Sequence, residues 1–166
     1  VERLRNMIAR HLTVPYEFAC LTDDQHDIAG VRKIYQPNAN YARGWWHKVH
    51  MFDPGLNLRG RVLYFDLDIV IKDKVPNLIR KDFTVLHAWW REEFHTPLNS
   101  SVISWTGDQS HIFKKFKENP DYYMTKYYRG IDQYLYENIE YKTYDKICYS
   151  IQNNEHKEEN KDYSIC

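Results

Sequence analysis

An α/β fold, with a mostly parallel sheet flanked by helices, is predicted by the order of the segments in this chain. Strand-like segments alternate with helix-like segments through most of its length, which is typical of a sheet covered by helices. Right-handed crossovers between such strands favour parallel pairing. The 166 residues are 43% apolar and 16% aromatic, enough to bury one core. We therefore expect a single domain spanning residues 1–166.

The first third of the chain predicts two helices separated by two short strands. The predicted elements are, in order, a helix over residues 1–12, strands over residues 16–21 and 31–35, and a helix over residues 45–52. In the second helix the apolar spacing runs through Trp45, Val49 and Phe52, and Asp53 and Pro54 end it. The first strand ends in Thr-Asp-Asp, and strand ends of this kind bind ligands in open α/β sheets.

The segment of residues 61–71 has the strongest strand pattern. It is almost continuously apolar and β-branched except for Asp66 and Asp68, which predicts a central strand buried on both faces. The remaining predicted elements are strands over residues 83–89 and 100–105, a helix over residues 108–117 and a short helix that begins near Asp132. Residues 152–162 are polar without periodicity, so we expect a mobile loop or linker there.

Two carboxylates in an apolar strand need compensation. If the chain stays extended, Asp66 and Asp68 point to the same side of the strand. Burying two ionised carboxylates is costly unless a cation neutralises them. A divalent ion with oxygen ligands does so and can also bridge to a diphosphate. The alternative is that the strand ends near Phe65 and both aspartates are solvated loop acids.

Charge and cysteine usage narrow the class of protein. Lys+Arg and Asp+Glu are both 23, and no long like-charge block favours nucleic acid or an anionic membrane. Cys20, Cys148 and Cys166 form no Cys-x-x-Cys pair, which argues against a zinc site and a disulfide framework. We expect a reducing, cytoplasmic compartment and no transmembrane segment. Because residue 1 is Val within a helical pattern, we expect a fragment.

Residues 61–71, Arg-Val-Leu-Tyr-Phe-Asp-Leu-Asp-Ile-Val-Ile, resemble the Asp-x-Asp strand of GT-A glycosyltransferases. The likeness is greatest to bacterial and large-DNA-virus enzymes that are distantly similar to the glycogenin-like group. Further segments agree with that family in order and spacing: residues 21–24, 44–52, 98–103 and 130–133. The resemblance implies a GT-A fold with a Rossmann-like sheet that lacks its first strand here. It also implies a metal-dependent hexosyltransferase that moves a sugar from a nucleoside-diphosphate donor, expected to be a UDP-sugar, to a glycan or other hydroxyl acceptor.

The resemblance assigns a role to each motif residue. Thr22, Asp23 and Asp24 would face the nucleotide, and Lys48 would bind the donor phosphates. Asp66 would contact both the donor and the metal, and Asp68 would bind the metal. Asn99 and Ser100 would contact the sugar, and Asp132 and Gln133 would form the catalytic centre. The implied cofactor is Mn²⁺ or Mg²⁺. The family's late His-x-Gly metal ligand has no counterpart in this sequence, which leaves the metal site incomplete. Together with the missing first strand, this departure from the family pattern implies a fragment truncated at both ends. Whether the sugar configuration is retained or inverted stays open.

Each assigned residue has a simpler structural alternative. Lys48 would be a solvated helix lysine, Asn99 a turn residue, and Asp132 the N-cap of a helix starting at Gln133. His47 and His50 are three apart on one helix, but no third metal ligand is evident.

Alternatives also exist for sugar stacking by the tryptophan pairs and for the glycosyltransferase function. Neighbours in Trp45-Trp46 and Trp89-Trp90 point in different directions, so at most one of each pair can stack on a sugar. A rival function is a haloacid-dehalogenase-like phosphatase, whose aspartate motif is similar but is normally followed by Gly-Thr or Gly-Val, not Ile-Val. A non-catalytic nucleotide-sugar-binding domain is the other rival.

Overall fold

The computed structural model describes residues 1–36, 41–58, 60–72, 74, 78–91, 96–144 and 147, which form two sheets and several helices. The predicted linker over residues 152–162 lies outside the described residues. The elements are α1 (Glu2–His11), β1 (Ala19–Thr22), β2 (Arg32–Tyr35), 3₁₀ helices Gly44–Phe52 and Pro54–Leu56, β3 (Arg61–Phe65), β4 (Thr84–His87), β5 (Leu98–Thr106), α2 (Ser110–Glu118), α3 (Pro120–Lys126), α4 (Ile131–Asn138) and β6 (Lys142–Tyr144). The predicted α/β class is confirmed.

The larger sheet is mixed, so the prediction of a mostly parallel sheet is wrong. Its four strands lie in the order β3-β5-β4-β6. β5 runs antiparallel to both β3 and β4, and β4 pairs with β6 in parallel. β1 and β2 form a separate parallel pair. The crossover argument failed at β5 because this strand enters the sheet between β3 and β4 in the opposite direction.

β3 is shorter and less buried than predicted. It ends at Phe65, and among the described residues it pairs on one side, with β5. Residues 62–65 are partly buried, and Leu67 is 64% exposed. The chain turns directly after the strand, where the Ile69 N–H approaches the Asp66 carbonyl at 3.4 Å. The prediction of a central strand over residues 61–71 is therefore wrong, and Asp66 and Asp68 do not share one face of a strand.

The segment Gly44–Phe52 is a 3₁₀ helix, and its period changes which tryptophan enters the core. With three residues per turn, positions three apart align. Trp46, Val49 and Phe52 are accordingly buried, while Trp45 is 66% exposed. The predicted spacing through Trp45 assumed an α-helical period. Trp46 stacks on Phe116 of α2, with ring centroids 5.2 Å apart.

The main core lies between the larger sheet, the 3₁₀ helix, α2 and α4. The predicted helix near residues 108–117 is confirmed, with Ile112, Phe113 and Phe116 buried on one side. α3 was not predicted, although Asn119 caps it by accepting from Tyr122 N and is followed by Pro120, which is a helix-start signal.

α4 begins before Asp132 rather than at it. Gly130 is its N-cap, and Asp132 is the second helical residue, so the prediction that Asp132 caps a helix starting at Gln133 is wrong. Gly130 has φ +86°, a conformation that side-chain-bearing residues rarely adopt. The turn before the helix thus depends on a glycine, and Asp132 stands in the first turn, where the helix dipole favours a negative charge.

The N-terminal elements form a smaller cluster. Leu4 and Ile8 of α1 are buried with Ile69, Leu86 and Val102, which ties the first helix to the far side of the larger sheet. The confirmed strands β1 and β2 each begin one or more residues later than predicted. Among the helices of the described residues, none has the length and apolar character needed to cross a bilayer.

Candidate functional site

A cleft of about 380 Å³ opens between β1, the 3₁₀ helix Gly44–Phe52 and β3. Thr22 and Asp23 line it from the end of β1, Lys48 from the 3₁₀ helix, and Tyr64 from β3. These elements are far apart in the sequence, so the fold brings together three of the residues predicted to face the donor nucleotide. Tyr64 was not assigned a site role, although it stands two residues before Asp66.

Lys48 and Asp66 form an ion pair at the edge of this cleft. Lys48 Nζ lies 2.8 Å from Asp66 Oδ2, and the two side chains are 13% and 22% exposed. The Tyr64 hydroxyl donates to Asp66 Oδ1 at 2.5 Å. The charge and partial burial of Asp66 are therefore compensated from within the chain. The predicted alternative was right that the strand ends at Phe65, but Asp66 is not a solvated loop acid; Asp68 is exposed.

Burial and the neighbouring acid also hold Tyr64 in its neutral form. Burial is the main cause that raises the pKa of the Tyr64 phenol far above its ordinary value, followed by the negative charge of Asp66. The phenol therefore stays a hydrogen-bond donor, and it orients the Asp66 carboxylate.

Ser100 links Lys48 to a second carboxylate, Asp132. Lys48 Nζ donates to Ser100 Oγ at 3.0 Å and to its carbonyl at 3.3 Å. Ser100 in turn donates to Asp132 Oδ1 from its hydroxyl at 2.5 Å and from its backbone N–H at 3.1 Å. Ser100 is 1% exposed. Its hydroxyl therefore accepts from Lys48 and donates to Asp132, which defines the direction of the hydrogen bonds.

An irregularity in β5 explains why the Ser100 backbone is free to bind Asp132. Val85 of β4 pairs with Ile103, whereas the next residue, Leu86, pairs with Asn99. The β5 residues between those partners are skipped by the β4 ladder, as in a bulge. Such irregularities redirect backbone and side-chain groups, and they are frequent next to active sites. Here the redirected N–H belongs to Ser100.

Arg91 completes the network on the far side of Asp132. Its Nη2 donates to Asp132 Oδ2 at 2.9 Å, and its Nη1 donates to the carbonyls of Thr96 at 3.1 Å and Leu98 at 3.0 Å. Arg91 thus joins α4 to the start of β5. We name the connected set Asp66, Lys48, Ser100, Asp132 and Arg91 the polar relay. Arg91 was missed because no local motif relates it to Asp132, which lies 41 positions later.

Asp24, the third residue predicted to face the nucleotide, makes its hydrogen bonds within its own turn. It accepts from His26 N at 2.9 Å and lies 2.6 Å from the His26 ring nitrogen, and its own N–H donates to Thr22 Oγ1 at 3.0 Å. The His26 backbone hydrogen bond is the main cause that lowers the pKa of the Asp24 carboxyl. The predicted trio therefore separates: Thr22 and Asp23 line the cleft, and Asp24 organises the loop after β1.

Asn99 and Gln133 differ in how their amides are used. Asn99 Oδ1 accepts from Ser101 N at 3.0 Å, so it supports the irregular part of β5, and it lies inside this strand rather than in a turn before it. Gln133 Nε2 donates to Glu137 Oε1 at 3.0 Å, and the opposite amide orientation would place oxygen against that carboxylate. Gln133 Oε1 is consequently the buried end, and it has no hydrogen-bond partner among the described residues.

The acids after β3 are the residues predicted to hold the metal. No cluster of three or more His, Cys, Asp or Glu side chains suited to a metal ion occurs in the part of the chain that the structure describes. His47 and His50 stack with centroids 6.0 Å apart, but His50 is buried, and burial is the main cause that lowers its pKa. Asp66 and Asp68 offer hard oxygen donors, and a magnesium-type site with one or two carboxylates takes its other ligands from substrate phosphates and water.

The chain matches no protein-family model and has no significant similarity to a curated protein or to a solved structure. The contacts of the cleft and of the polar relay therefore carry the case for a function.

Proposed function

We propose that this chain binds a nucleoside-diphosphate sugar, with UDP as the expected nucleotide, and transfers the sugar to a hydroxyl acceptor. The observation that carries the proposal is the polar relay beside the cleft. It joins Lys48, Asp66, Ser100 and Asp132, which come from separate segments of the chain, through hydrogen bonds of 2.5–3.1 Å. Convergent charged groups at the edge of a cleft are the usual mark of a ligand site.

In this proposal the donor diphosphate binds at Lys48. All three donors of an ammonium group have partners here, in Asp66 Oδ2 and the two oxygens of Ser100. Lys48 reaches a phosphate by exchanging one of these partners, and the ion pair with Asp66 is the one that a bound cation would replace. The rim of the cleft then holds a positive charge in a partly buried position, where electrostatic attraction to an anion is stronger than in bulk water.

The carboxylates of Asp66 and Asp68 would hold the divalent cation together with the diphosphate. The ion would neutralise charge that builds on the leaving diphosphate during transfer. Asp66 is oriented for this by Tyr64, whose hydroxyl occupies one lone pair of Oδ1. Asp68 is exposed and would supply the second carboxylate. With the two carboxylates of Asp66 and Asp68 as protein ligands, we expect weak metal binding without the nucleotide and tighter binding with it.

Asp132 is suited to positioning in this mechanism. Both of its oxygens accept hydrogen bonds, Oδ1 from Ser100 and Oδ2 from Arg91. A general base needs a free lone pair aimed at the acceptor hydroxyl, whereas both oxygens of Asp132 already bind groups of the chain itself. Asp132 would therefore hold Ser100 and the start of α4 in register. Gln133, whose buried Oε1 lacks a partner among the described residues, would accept from a donor-sugar hydroxyl.

The test is calorimetric titration of the chain with UDP in the presence of Mn²⁺ and again after chelation. Metal-dependent binding is expected, because the diphosphate otherwise meets the negative charges of Asp66 and Asp68. Lys48→Ala should weaken UDP binding about tenfold or more, since a partly buried phosphate contact is lost. Lys114→Ala, on the exposed face of α2, is the matched control. Equal UDP affinity with and without metal would refute the metal-bridged site.

Turnover separates a transferase from a binding domain. UDP release from UDP-glucose, UDP-galactose and UDP-N-acetylglucosamine, with and without added sugar acceptors, measures transfer and hydrolysis together. Release that requires Mn²⁺ and is lost in Lys48→Ala supports a transferase. Tight metal-dependent binding without any release would identify a nucleotide-sugar-binding domain. Release of inorganic phosphate from a simple phosphate ester would favour the phosphatase alternative instead.

A further inference from the structure

Trp45 is the one member of the pair Trp45-Trp46 that faces the cleft. It is 66% exposed and lines the cleft together with Lys48, whereas Trp46 is 5% exposed in the main core. The 3₁₀ period aligns Trp45 with Lys48, which is three residues later. The helix therefore presents an indole ring and an ammonium group along one line on the wall of the cleft.

The indole ring of Trp45 packs against Gly130. A Cβ atom at Gly130 would clash with Nε1 and Cδ1 of Trp45, so the pyrrole edge of the ring lies directly against the glycine backbone. The positive φ of Gly130, +86°, also disfavours any side chain at this position. The ring is thereby held at the N-terminus of α4, two residues before Asp132. A ring fixed at one edge and open over most of its surface is preorganised to stack on a ligand.

We propose that Trp45 is the stacking platform for the sugar ring of the donor. The C–H groups of a pyranose ring pack on the negative face of an aromatic ring, while its hydroxyls bind neighbouring polar groups. Trp45 supplies the apolar face, and Lys48 and His47 line the same cleft as polar neighbours. This assignment rests on the proposed function and names the part of the cleft that takes the sugar.

The position of Trp45 favours the sugar over the nucleotide base. Trp45 contacts the start of α4, while Thr22 and Leu21 line the cleft from β1. With the diphosphate at Lys48, one end of the donor points toward β1 and the other toward α4. The sugar is assigned to the α4 end because the indole ring rests there on Gly130, which leaves the base for the β1 end.

The experiment compares UDP with UDP-sugars on variants of Trp45. Calorimetry with Mn²⁺ measures the affinity of the native chain, Trp45→Ala and Trp45→Phe for UDP, UDP-glucose, UDP-galactose and UDP-N-acetylglucosamine. We expect Trp45→Ala to weaken the best-bound UDP-sugar about tenfold and to leave UDP nearly unchanged, with partial recovery in Trp45→Phe. Tyr122→Ala, which removes a 51% exposed aromatic ring on α3, is the control and should change neither affinity.

Three other outcomes overturn the assignment. Equal weakening of UDP and UDP-sugar would place the base or the diphosphate on the ring. Unchanged affinity for both in Trp45→Ala would mean that the ring takes no part in donor binding. If the native chain binds neither UDP nor any UDP-sugar, the proposed function itself fails, and that result is separable because the native UDP titration does not depend on Trp45.

Discussion

The two carboxylates on either side of Ser100 are held in different ways. Asp132 accepts from the Ser100 hydroxyl, the Ser100 backbone and Arg91, and Arg91 also binds two carbonyls at the start of β5. Asp66 accepts from Lys48 and Tyr64 and is followed two residues later by the exposed Asp68. One end of the polar relay is thus anchored to the fold, and the other borders the cleft. This difference suggests that ligand exchange occurs at Asp66 while Asp132 keeps the geometry.

The largest effect on stability is expected from Asp132→Ala. This change leaves Arg91 without its carboxylate and removes the partner of the Ser100 N–H, so the free energy of unfolding should fall by about 3 kcal/mol. Urea denaturation measures it. Asp121→Ala, at an exposed position of α3, should change stability by about 0.5 kcal/mol or less. A loss as small as that in Asp132→Ala would contradict its role as the anchored end.

Asp66→Asn should destabilise the chain less, by about 1–2 kcal/mol. The amide oxygen still accepts from Tyr64, and Lys48 keeps its hydrogen bond to Ser100. What the variant removes is the negative charge that faces Lys48. The same urea measurement applies, with UDP and Mn²⁺ titrated into the folded variant. If Asp66→Asn were more destabilising than Asp132→Ala, the comparison between an anchored and an open end would be reversed.

Acid should lower the free energy of unfolding through protonation of His50. Burial, followed by the nearby His47, lowers the pKa of His50, and Lys117 acts in the same direction while Asp53 opposes it. The unfolded chain then takes up the proton at a higher pH than the folded chain. The stability contribution of neutral His50 is present above the ordinary histidine pKa of about 6.5 and is lost as the pH falls below it.

The measurement is urea denaturation from pH 8 to pH 5 on the native chain and on His50→Gln. The native free energy of unfolding should decrease more steeply below about pH 6.5 than that of the variant, even if the variant is less stable overall. His11→Gln, in the last turn of α1, controls for the loss of a histidine outside the cleft. Parallel pH profiles for the native chain and His50→Gln would exclude this residue as the cause.

The sequence predicted the parts of the site better than their connections. The residues after β1, on the 3₁₀ helix, after β3 and on α4 were all named, and Lys48, Asp66, Ser100 and Asp132 do come together. Their partners could not be read from spacing, because Ser100 binds Asp132 through an irregularity in β5 and Arg91 reaches across the fold.

Two errors about local structure have specific physical causes. Periods of 3.0 and 3.6 residues both place Val49 and Phe52 on one face and differ at the first turn, so the pattern could not choose between Trp45 and Trp46. A continuous apolar run also does not mark where a strand ends, and tertiary contacts made β3 stop at Phe65. The turn that follows is what separates Asp66 from Asp68.

Asp68→Asn should have the smallest effect on folding and still remove metal-dependent binding. Asp68 is exposed, so its replacement should change the free energy of unfolding by about 0.5 kcal/mol or less. If Asp68 and Asp66 share the cation with the donor diphosphate, the amide removes one charged ligand. Ligand that binds the native state raises the melting temperature by mass action. The increase caused by UDP with Mn²⁺ should therefore disappear in Asp68→Asn, although the variant alone melts like the native chain. Asp121→Asn should keep the full increase. A retained increase in Asp68→Asn would mean that the exposed acid after β3 does not hold the metal, and that Asp66 acts through Lys48 alone.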